Sequence, residues 1–384
     1  MRPRSARVNW FFLPGRAFVV PQPKGVVGII APWNYPLMLA LVPLAGALAA
    51  GNRALLKLSE HTPCTSSLLV ELRGRELDRT VVAPVTGGPD VGEAVTRLPL
   101  DHLLFTGGNA VGQRVAVAAA ENLVPVTLEL VGKCPAIYHP SWPVAVFADR
   151  VAQGKCFTAG QSCVAPDYLL VPEGLEHEVV SALTASVAER YPTMAKNPDY
   201  SGVASPARLS RLRALVDEAV EKGAEKVEIN PANDSFEGVQ KMPLTLLLEV
   251  PDDTLVMREE IFGPVLPIVP YKTLDDAIAY VNDRPIPLAL YYFDRDRGRI
   301  KKVLRETRSG GVTLNDTLLH FICDDLPRTP AGASGHGGYY GRLSFDTFSH
   351  QKSVFHQSRF SANKLFAPPY SAVIDRLLRW LIGR

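Results

Sequence analysis

One cysteine stands where the chain could carry out nucleophilic chemistry. Cys163 follows Gly160-Gln-Ser in a short polar segment that leads into a strand-like run at 168–171. A loop or helix start would bring backbone N–H groups close to the thiol, and these favour the thiolate, the nucleophilic form of cysteine. An isolated cysteine is more commonly a small buried residue. The residues around it must therefore decide between a nucleophile and a core side chain.

Three further features of the sequence could contribute to a site beside such a thiol. Glu129 lies inside the apolar run 126–131, where burial would raise the pKa of its carboxyl and suit it to general-base catalysis; a strand-end carboxylate facing solvent is the alternative. Lys57 closes a strand and could reach a ribose hydroxyl or a phosphate, or simply be solvated. Gly107 and Gly108 lie between an apolar strand and a helix, where bare N–H groups could approach a pyrophosphate, and a structural turn fits equally well.

The elements that must position these residues follow from the apolar pattern. Apolar runs predict strands at 25–30, 54–58, 81–85, 101–105 and 126–130. Helix patterns lie between them, at 37–50 with a stop at Gly51-Asn52, after the turn 87–90, and up to 121. Strands that alternate with helices predict a doubly wound parallel sheet, whose ligand binds at the carboxyl ends of the strands. Residues at those ends are Asn34, Lys57, Gly107 and Glu129.

The α/β pattern continues beyond the first sheet. Between about 131 and 344 helices are predicted at 175–190, 206–222 and 274–283, and a strand at 244–248. Strand segments are predicted around Pro14-Gly15 between 8 and 20, and short extended segments from 345 to 355. The basic amphipathic tail 372–384 predicts a helix that packs against protein or, as the alternative, makes weak peripheral contact with a membrane. The predicted fold class is α/β.

Composition limits the class of function. The 384 residues carry a net charge of +2 and no basic stripe interleaved with aromatics, which argues against a nucleic-acid partner. Five cysteines without a recurring spacing argue for a reducing, cytoplasmic location, and no His or Cys cluster predicts a metal site. Neither a signal peptide nor a transmembrane segment is predicted, because the most apolar stretch, 36–50, is short and contains Pro43.

Six motifs occur in a diagnostic order and spacing. They are Pro32-Trp-Asn-Tyr-Pro36, Lys57-Leu-Ser-Glu60, Phe105-Thr-Gly-Gly108, Glu129-Leu-Val-Gly-Lys133, Gly160-Gln-Ser-Cys163 and Glu259-Glu-Ile-Phe-Gly-Pro264. Together they resemble the aldehyde dehydrogenase superfamily over nearly the whole chain, from about Trp10 onward. The segment Gly341-Arg-x-x-Phe-x-Thr-Phe-Ser-His350 looks like the class 3 branch. Within that branch, Val312-Thr-Leu-Asn-Asp-Thr-Leu-Leu-His320 is similar to coniferyl aldehyde dehydrogenases of bacteria.

The resemblance implies a domain plan and an activity. An NAD(P)-binding domain would span 23–131 and a catalytic domain 132–344, with oligomerisation strands at 11–22 and 345–358 and a tail with an amphipathic helix at 359–384. The activity would be oxidation of an aldehyde, aromatic such as coniferaldehyde or medium-chain, to the carboxylic acid, with NAD or NADP as cofactor. The partner would be a second copy of the chain, in a homodimer whose edge strands extend each other's sheets.

The resemblance also implies roles for individual residues. Cys163 would attack the aldehyde carbon, Asn34 and the Cys163 N–H would hold the oxyanion, and Glu129 would deprotonate the water that hydrolyses the thioester. Lys57 and Glu260 would hold ribose hydroxyls of the cofactor. The full set of cofactor contacts would be Ile30, Trp33, Lys57, Gly92, Gly107, Gly108, Glu260 and Phe262.

Three departures from the family pattern accompany this resemblance. Family members carry further elements ahead of 10–15, and their absence would expose apolar surface and lower stability. Val131 replaces a usual glycine and would restrict the swing of Glu129. The loop 327–332, Pro-Arg-Thr-Pro-Ala-Gly, replaces Pro-Phe-Gly-Gly-Val-Gly and should follow a different path. The alternative function is therefore a non-catalytic relative that keeps the fold and dinucleotide binding.

Overall fold

The structure, a computed structural model, describes residues 2–76, 78–360, 368–369 and 371–383. Its strands are β1 Arg4–Ala6, β2 Arg16–Pro23, β3 Val26–Ile30, β4 Arg53–Lys57, β5 Val82–Val85, β6 His102–Gly107, β7 Val126–Leu130, β8 Pro135–Tyr138, β9 Tyr168–Pro172, β10 Glu225–Ile229, β11 Leu244–Leu248, β12 Val265–Tyr271, β13 Ala289–Phe293, β14 Gly311–Leu314, β15 Gly335–His336 and β16 Ser349–His356.

The helices lie mainly between these strands. They are α1 Met38–Ala49, α2 Pro63–Glu76, α3 Pro89–Thr96, α4 Asn109–Ala120, α5 Val144–Cys156, α6 Glu176–Arg190, α7 Pro206–Glu221, α8 Leu255–Arg258, α9 Leu274–Asn282, α10 Arg297–Glu306, α11 Leu319–Ile322, α12 Gly341–Thr347 and α13 Ala372–Leu381. Short 3-10 turns lie at Trp10–Phe12, Phe157–Gly160 and Gly332–Ser334.

A six-stranded sheet is built from the first α/β segment, in the order β15-β7-β6-β3-β4-β5. All neighbours pair in parallel except β15, which runs antiparallel to β7. The strands β3, β6 and β7 are buried along most of their length because helices cover both faces of the sheet. The prediction of a doubly wound parallel sheet is confirmed. Two residues after α1, Gly51 has the left-handed φ of 84° that is typical of a glycine helix stop.

A seven-stranded sheet follows, in the order β10-β11-β12-β9-β8-β13-β14. It is parallel apart from β10, which pairs antiparallel with β11. Its strands are buried between two apolar clusters, one against α5 and α6 and the other against α7 and α9. The predicted α/β fold class is therefore confirmed for this second unit as well.

A small sheet of order β1-β2-β16 joins the two ends of the described chain. The antiparallel pairing of β2 with β16 covers all eight residues of each strand. The prediction that 345–347 is extended is wrong, because α12 continues to Thr347. An ion pair one helical turn apart, Arg342 with Asp346 at 3.1 Å, and a hydrogen bond from Tyr340 N to Ser344 Oγ at 2.7 Å favour the helix.

The amphipathic tail is helical where it is described. In α13 the side chain of Ile374 is buried, whereas Val373, Leu378 and Trp380 are exposed. Positions 361–367, 370 and 384 of the predicted tail lie outside the described residues. Among the helices described, none has the length and apolar character needed to cross a membrane. Weak peripheral contact of α13 with a membrane remains a prediction.

Candidate active site

A cleft of about 1450 Å³ opens at the carboxyl ends of the parallel strands of the first sheet. The strands β3, β4, β6 and β7 end at one edge of that sheet, so residues at or just after their last positions meet there. Segments that precede β9 and β12 of the second sheet also line the cleft. All residues predicted for the site lie in its walls: Ile30, Trp33, Asn34, Lys57, Gly92, Gly107, Gly108, Glu129, Cys163, Glu260 and Phe262.

The loop that carries Cys163 is held in an unusual backbone conformation. Thr158 and Ala159, in the turn after α5, both adopt left-handed angles with φ of 51°. Such angles cost about 1 kcal/mol or more at each non-glycine residue, so surrounding contacts must hold them. The Gln161 amide supplies one contact by donating to Thr158 O at 3.0 Å, and further hydrogen bonds tie Gln161 to the segment 202–204. The loop therefore presents Cys163 to the cleft in a defined position.

Burial decides the protonation of the Cys163 thiol. The residue is half-buried, and the walls of the cleft enclose its sulfur. Burial, and after it the charges of Glu260 and Glu129, raises the pKa of Cys163 to about 12, whereas the Arg328 guanidinium acts in the opposite direction. A backbone hydrogen bond lowers the pKa of Cys163, in the expected direction, but desolvation outweighs it. A base beside the thiol would favour its ionisation.

Glu129 occupies the fourth position of β7 and is 5% exposed. In the sheet it lies between Thr106 on β6 and Gly335 on β15. Its Oε1 accepts no hydrogen bond from the part of the chain that the structure describes. Burial raises the pKa of Glu129 to about 8, and the Arg328 guanidinium opposes that shift. The alternative of a solvent-facing carboxylate is wrong, and a pKa near neutrality in a cleft is a property of general bases.

The turn after β3 carries Asn34 into the cleft between two anchored aromatic residues. On one side Trp33 packs edge-on against Phe262, with ring centroids 5.4 Å apart. On the other side the Tyr35 hydroxyl lies 3.2 Å from the Thr158 hydroxyl, in hydrogen-bond contact with the loop that carries the cysteine. Asn34 is thus held by its neighbours against two segments of the second α/β unit.

Lys57 ends β4 and is only 3% exposed, so the alternative of a solvated lysine is wrong. Its Nζ donates to Glu60 Oε2 at 2.7 Å. Burial opposes the ionisation of Glu60, but the hydrogen bond and charge of Lys57 outweigh it, and the pKa of Glu60 is lowered. The pair offers both a donor and an acceptor in the cleft, which is what a pair of ribose hydroxyls would require.

The start of α4 leaves hydrogen-bond donors unused. Its N-cap residue, Gly108, provides no side-chain cap, so within the described residues the N–H groups of Asn109 and Ala110, at the first two positions of the helix, remain available to a ligand. A Cβ placed at Gly108 would meet no heavy atom within 4 Å, whereas one at Gly107 would lie 2.6 Å from the Phe105 ring. The buried hydroxyl of Thr106 also has no partner within the described residues. An anion would find free donors and open space here.

Glu260 and Phe262 belong to the segment between α8 and β12. Arg211 holds this segment from α7, because its Nη2 donates to Glu260 O at 2.8 Å and its Nη1 to Ile261 O at 3.0 Å. Burial, and after it the charge of Asp167, raises the pKa of Glu260 well above its usual range. Glu260 therefore lies in the cleft as a carboxyl that readily keeps its proton.

Three residues with clear contacts in the site were not assigned roles from the sequence. Glu60 could have been recognised from its spacing, three residues after Lys57. Arg211 carries no sequence signal, since its partners lie some fifty residues further along the chain. Arg328 was noted only as a change in a loop, and its proximity to Glu129 and Cys163 depends on the fold.

These observations define a class of protein. A doubly wound sheet places an uncapped helix start and a lysine–glutamate pair at one edge, and a thiol and a buried carboxyl share the same cleft. The arrangement is that of an α/β enzyme in which a cysteine acts beside a bound dinucleotide-type ligand.

Comparisons with known proteins identify the family. The aldehyde dehydrogenase family model matches residues 12–354. "Probable coniferyl aldehyde dehydrogenase" of Pseudomonas aeruginosa is 52% identical over 385 residues, covering 100% of this chain and 80% of that protein. The substrate-bound structure of Staphylococcus aureus AldH superposes with a TM-score of 0.93 at 37% identity, covering 99% of this chain and 82% of its own. A betaine aldehyde dehydrogenase of the same organism, in complex with NAD+, has a TM-score of 0.85 at 26% identity, covering 94% and 72%.

This chain belongs to the aldehyde dehydrogenase family, as its motifs predicted. The protein is accordingly an oxidoreductase that oxidises aldehydes.

Proposed function

We propose that this protein oxidises an aromatic aldehyde such as coniferaldehyde, or a medium-chain aldehyde, to the carboxylic acid with NAD as hydride acceptor, NADP being the alternative. One observation carries the proposal: the thiol of Cys163, the carboxyl of Glu129 and the amide of Asn34, far apart in sequence, line a single cleft. The aromatic substrate is supported by the similarity to a coniferyl aldehyde dehydrogenase. The choice of NAD is supported by the similarity to a relative solved with NAD+.

The cleft fits a dinucleotide at three places. The free N–H groups at the start of α4, with the unpartnered Thr106 hydroxyl, suit a pyrophosphate. Lys57 with Glu60 suits the hydroxyls of one ribose of the dinucleotide. Glu260 suits the hydroxyls of the other ribose. The aromatic faces of Trp33 and Phe262 complete the wall beside Glu260. When bound, the dinucleotide supplies the acceptor for the hydride that leaves the substrate carbon.

In the first half of the proposed reaction, Cys163 Sγ forms a bond to the aldehyde carbon. The thiol proton passes to the ionised form of Glu129, either directly or through one water molecule, because the resting thiol is protonated and a carboxyl with a pKa of about 8 is a suitable base once it is ionised. The Asn34 amide and the Cys163 N–H donate to the oxygen that becomes negatively charged. Each such donor lowers the barrier by about 3 kcal/mol in comparable sites. Loss of hydride then leaves a thioester on Cys163.

Between the two halves, Glu129 releases the thiol proton to solvent. In the second half, the ionised Glu129 removes a proton from a water molecule that attacks the thioester carbon. The carbon–sulfur bond breaks, the carboxylic acid leaves, and the Cys163 thiolate takes the proton back from Glu129. Burial of Glu129 serves this step, because a carboxyl with its ordinary pKa would be a weaker base toward water.

Further parts of the proposal concern the assembly and its setting. We keep the division into a cofactor domain at 23–131, a catalytic domain at 132–344 and oligomerisation strands at 11–22 and 345–358, which the three separate sheets support. The homodimer is supported by the exposed edge strand β1 of the small sheet. A cytoplasmic location is supported by the five cysteines, all of which are free thiols.

The test is NADH formation from coniferaldehyde by the purified chain, with a medium-chain aldehyde and NADP run in parallel. We expect Cys163→Ala to abolish NADH formation and Cys64→Ala, which removes an exposed thiol on α2, to leave it unchanged. Activity that survives in Cys163→Ala would exclude the mechanism. A folded wild-type chain that binds NAD but forms no NADH from any aldehyde would favour the non-catalytic alternative.

A further inference from the structure

Arg328 is a buried cation with hydrogen-bond donors to spare. The residue is 3% exposed, and its Nη2 lies 4.0 Å from the weak acceptor Met38 Sδ, whereas its Nε and Nη1 donate no hydrogen bond within the described residues. A buried guanidinium without a charged partner is costly, and proteins normally pair such a charge with a carboxylate. Glu129 shows the complementary feature, a buried Oε1 that accepts nothing from the residues described.

An aromatic cage fixes the plane of the guanidinium. Its central carbon lies 4.0 Å from the ring centroid of Phe321 and 3.8 Å from that of Tyr340. The backbone is fixed as well, because Arg328 and Tyr339 exchange two hydrogen bonds of 3.0 and 3.1 Å. Aromatic rings engage the face of a guanidinium and leave its in-plane N–H groups to donate. The cage therefore positions a cation without neutralising it.

The loop around Arg328 is attached to the strand that carries Glu129. Within the loop, Gly335 pairs with Glu129 across the β15–β7 ladder. Phe321 and Tyr339, which contact the guanidinium, line the cleft together with Glu129 and Cys163. The cation thus lies directly behind the wall that holds both reacting groups.

The charge of Arg328 acts on groups from several elements. It favours the ionised forms of Glu129 on β7 and of Cys163 on the cysteine loop. It also adds to the effect of burial on His320 of α11, whose pKa falls to about 4, and it favours ionisation of the Tyr339 hydroxyl. His320 is neutral near pH 7 and can only become positive, so Glu129, once it ionises, is the carboxyl among these groups that can balance the charge of Arg328.

We propose that Arg328 is a positioning residue for the reaction: from its aromatic cage, its positive charge favours the ionised form of the Glu129 carboxyl for each proton transfer. The inference rests on the proposed role of Glu129 and names a group that the motifs of the family do not supply at this position. With the cation in place, Glu129 takes a proton from the thiol or from water at a lower pH than burial alone would allow.

The experiment compares a neutral with a charged side chain. In Arg328→Met we expect the acid limb of the steady-state pH profile to move upward by about one pH unit, because the base loses its counter-charge. At pH 7 turnover then falls about tenfold, and at high pH it approaches the wild-type value. Arg328→Lys should keep the limb near its original position. Arg342→Met removes an exposed arginine further along the same segment and should change neither limb.

A second readout does not depend on turnover. Alkylation of Cys163 by iodoacetamide, followed against pH, should require a higher pH in Arg328→Met than in the wild type. Unchanged pH profiles in both measurements, with thermal unfolding showing a folded variant, would overturn the inference. If Arg328→Met does not fold, Arg328→Gln serves as the neutral variant, and its pH profile is compared with that of the charged variant Arg328→Lys. Absence of any NADH burst in the wild type would instead overturn the proposed function. In that case the pH profile of Cys163 alkylation would still test whether the charge of Arg328 favours ionised groups in the cleft.

Discussion

At the scale of single residues, Glu129 allows the sharpest test of the two proposed half-reactions. We expect Glu129→Gln to slow steady-state turnover by about a hundredfold or more, as loss of a general base does, and to reduce the first burst of NADH less. Because burial raises the pKa of Glu129 to about 8, wild-type turnover should rise with pH through that value and the variant should lose the rise. Stopped-flow absorbance separates the burst from the steady state.

The control for this prediction is Glu71→Gln, which removes an exposed carboxylate on α2 that pairs with Arg75. Its burst and its pH profile should match the wild type. Equal losses of burst and turnover in Glu129→Gln would contradict the expectation that hydrolysis of the thioester depends on Glu129 more strongly than activation of the thiol does.

Motifs predicted which side chains meet in the cleft, but not their protonation states. Six short segments in register identified Cys163, Glu129 and Asn34, and the structure places all three in one cleft. The high pKa of the thiol depends on walls from both sheets, which no local segment encodes. The burial of Arg328 likewise arises from contacts with Phe321 and Tyr340, whose positions follow from the packed loop.

At the scale of elements, the start of α4 can be tested as the phosphate site. In Gly108→Ala the added methyl group meets no protein atom within 4 Å, so it extends only into the cleft. We expect the affinity for NAD to fall by about tenfold or more and the melting temperature to change little, since a glycine-to-alanine change at an N-cap costs at most about 1 kcal/mol. Isothermal titration calorimetry and thermal unfolding measure the two effects.

A matched glycine serves as control. Gly74 also has open space around it, but it lies inside α2, away from the cleft. Gly74→Ala should stabilise the helix by about 0.5–1 kcal/mol and leave NAD affinity unchanged. Unaltered NAD binding in Gly108→Ala would place the pyrophosphate elsewhere.

Elements with strong periodic patterns were predicted with nearly correct bounds, and those fixed by tertiary contacts were not. The strands predicted at 126–130 and 244–248 have the same bounds as β7 and β11 in the structure. The last turn of α12, 345–347, is predicted as extended chain, because the stability of this helix comes from packing on α1, where Gly46 lets Ser344 approach closely. Short segments of this kind carry too little local signal to decide between helix and strand.

At the scale of the whole molecule, the small sheet predicts the oligomeric state. The three-stranded sheet β1-β2-β16 is antiparallel, and its edge strand β1 is exposed along its length. Exposed edges of this kind pair readily with a second chain. We expect light scattering to give about twice the chain mass of 41.8 kDa over a dilution series. A stable monomer at all concentrations would contradict the proposed homodimer.

The late strand β15 has a consequence for biosynthesis. It hydrogen-bonds alongside Glu129 on β7, and the carbonyl of Phe348 accepts a hydrogen bond of 2.8 Å from Asn52, just before β4. A ribosome making this chain releases residues 23–131 before these partners exist, and domains generally fold as they emerge. The β7 edge of the early sheet therefore stays unpaired until residues 335–336 have been made. The cleft, whose walls include Tyr339, is complete only after that later segment has been translated.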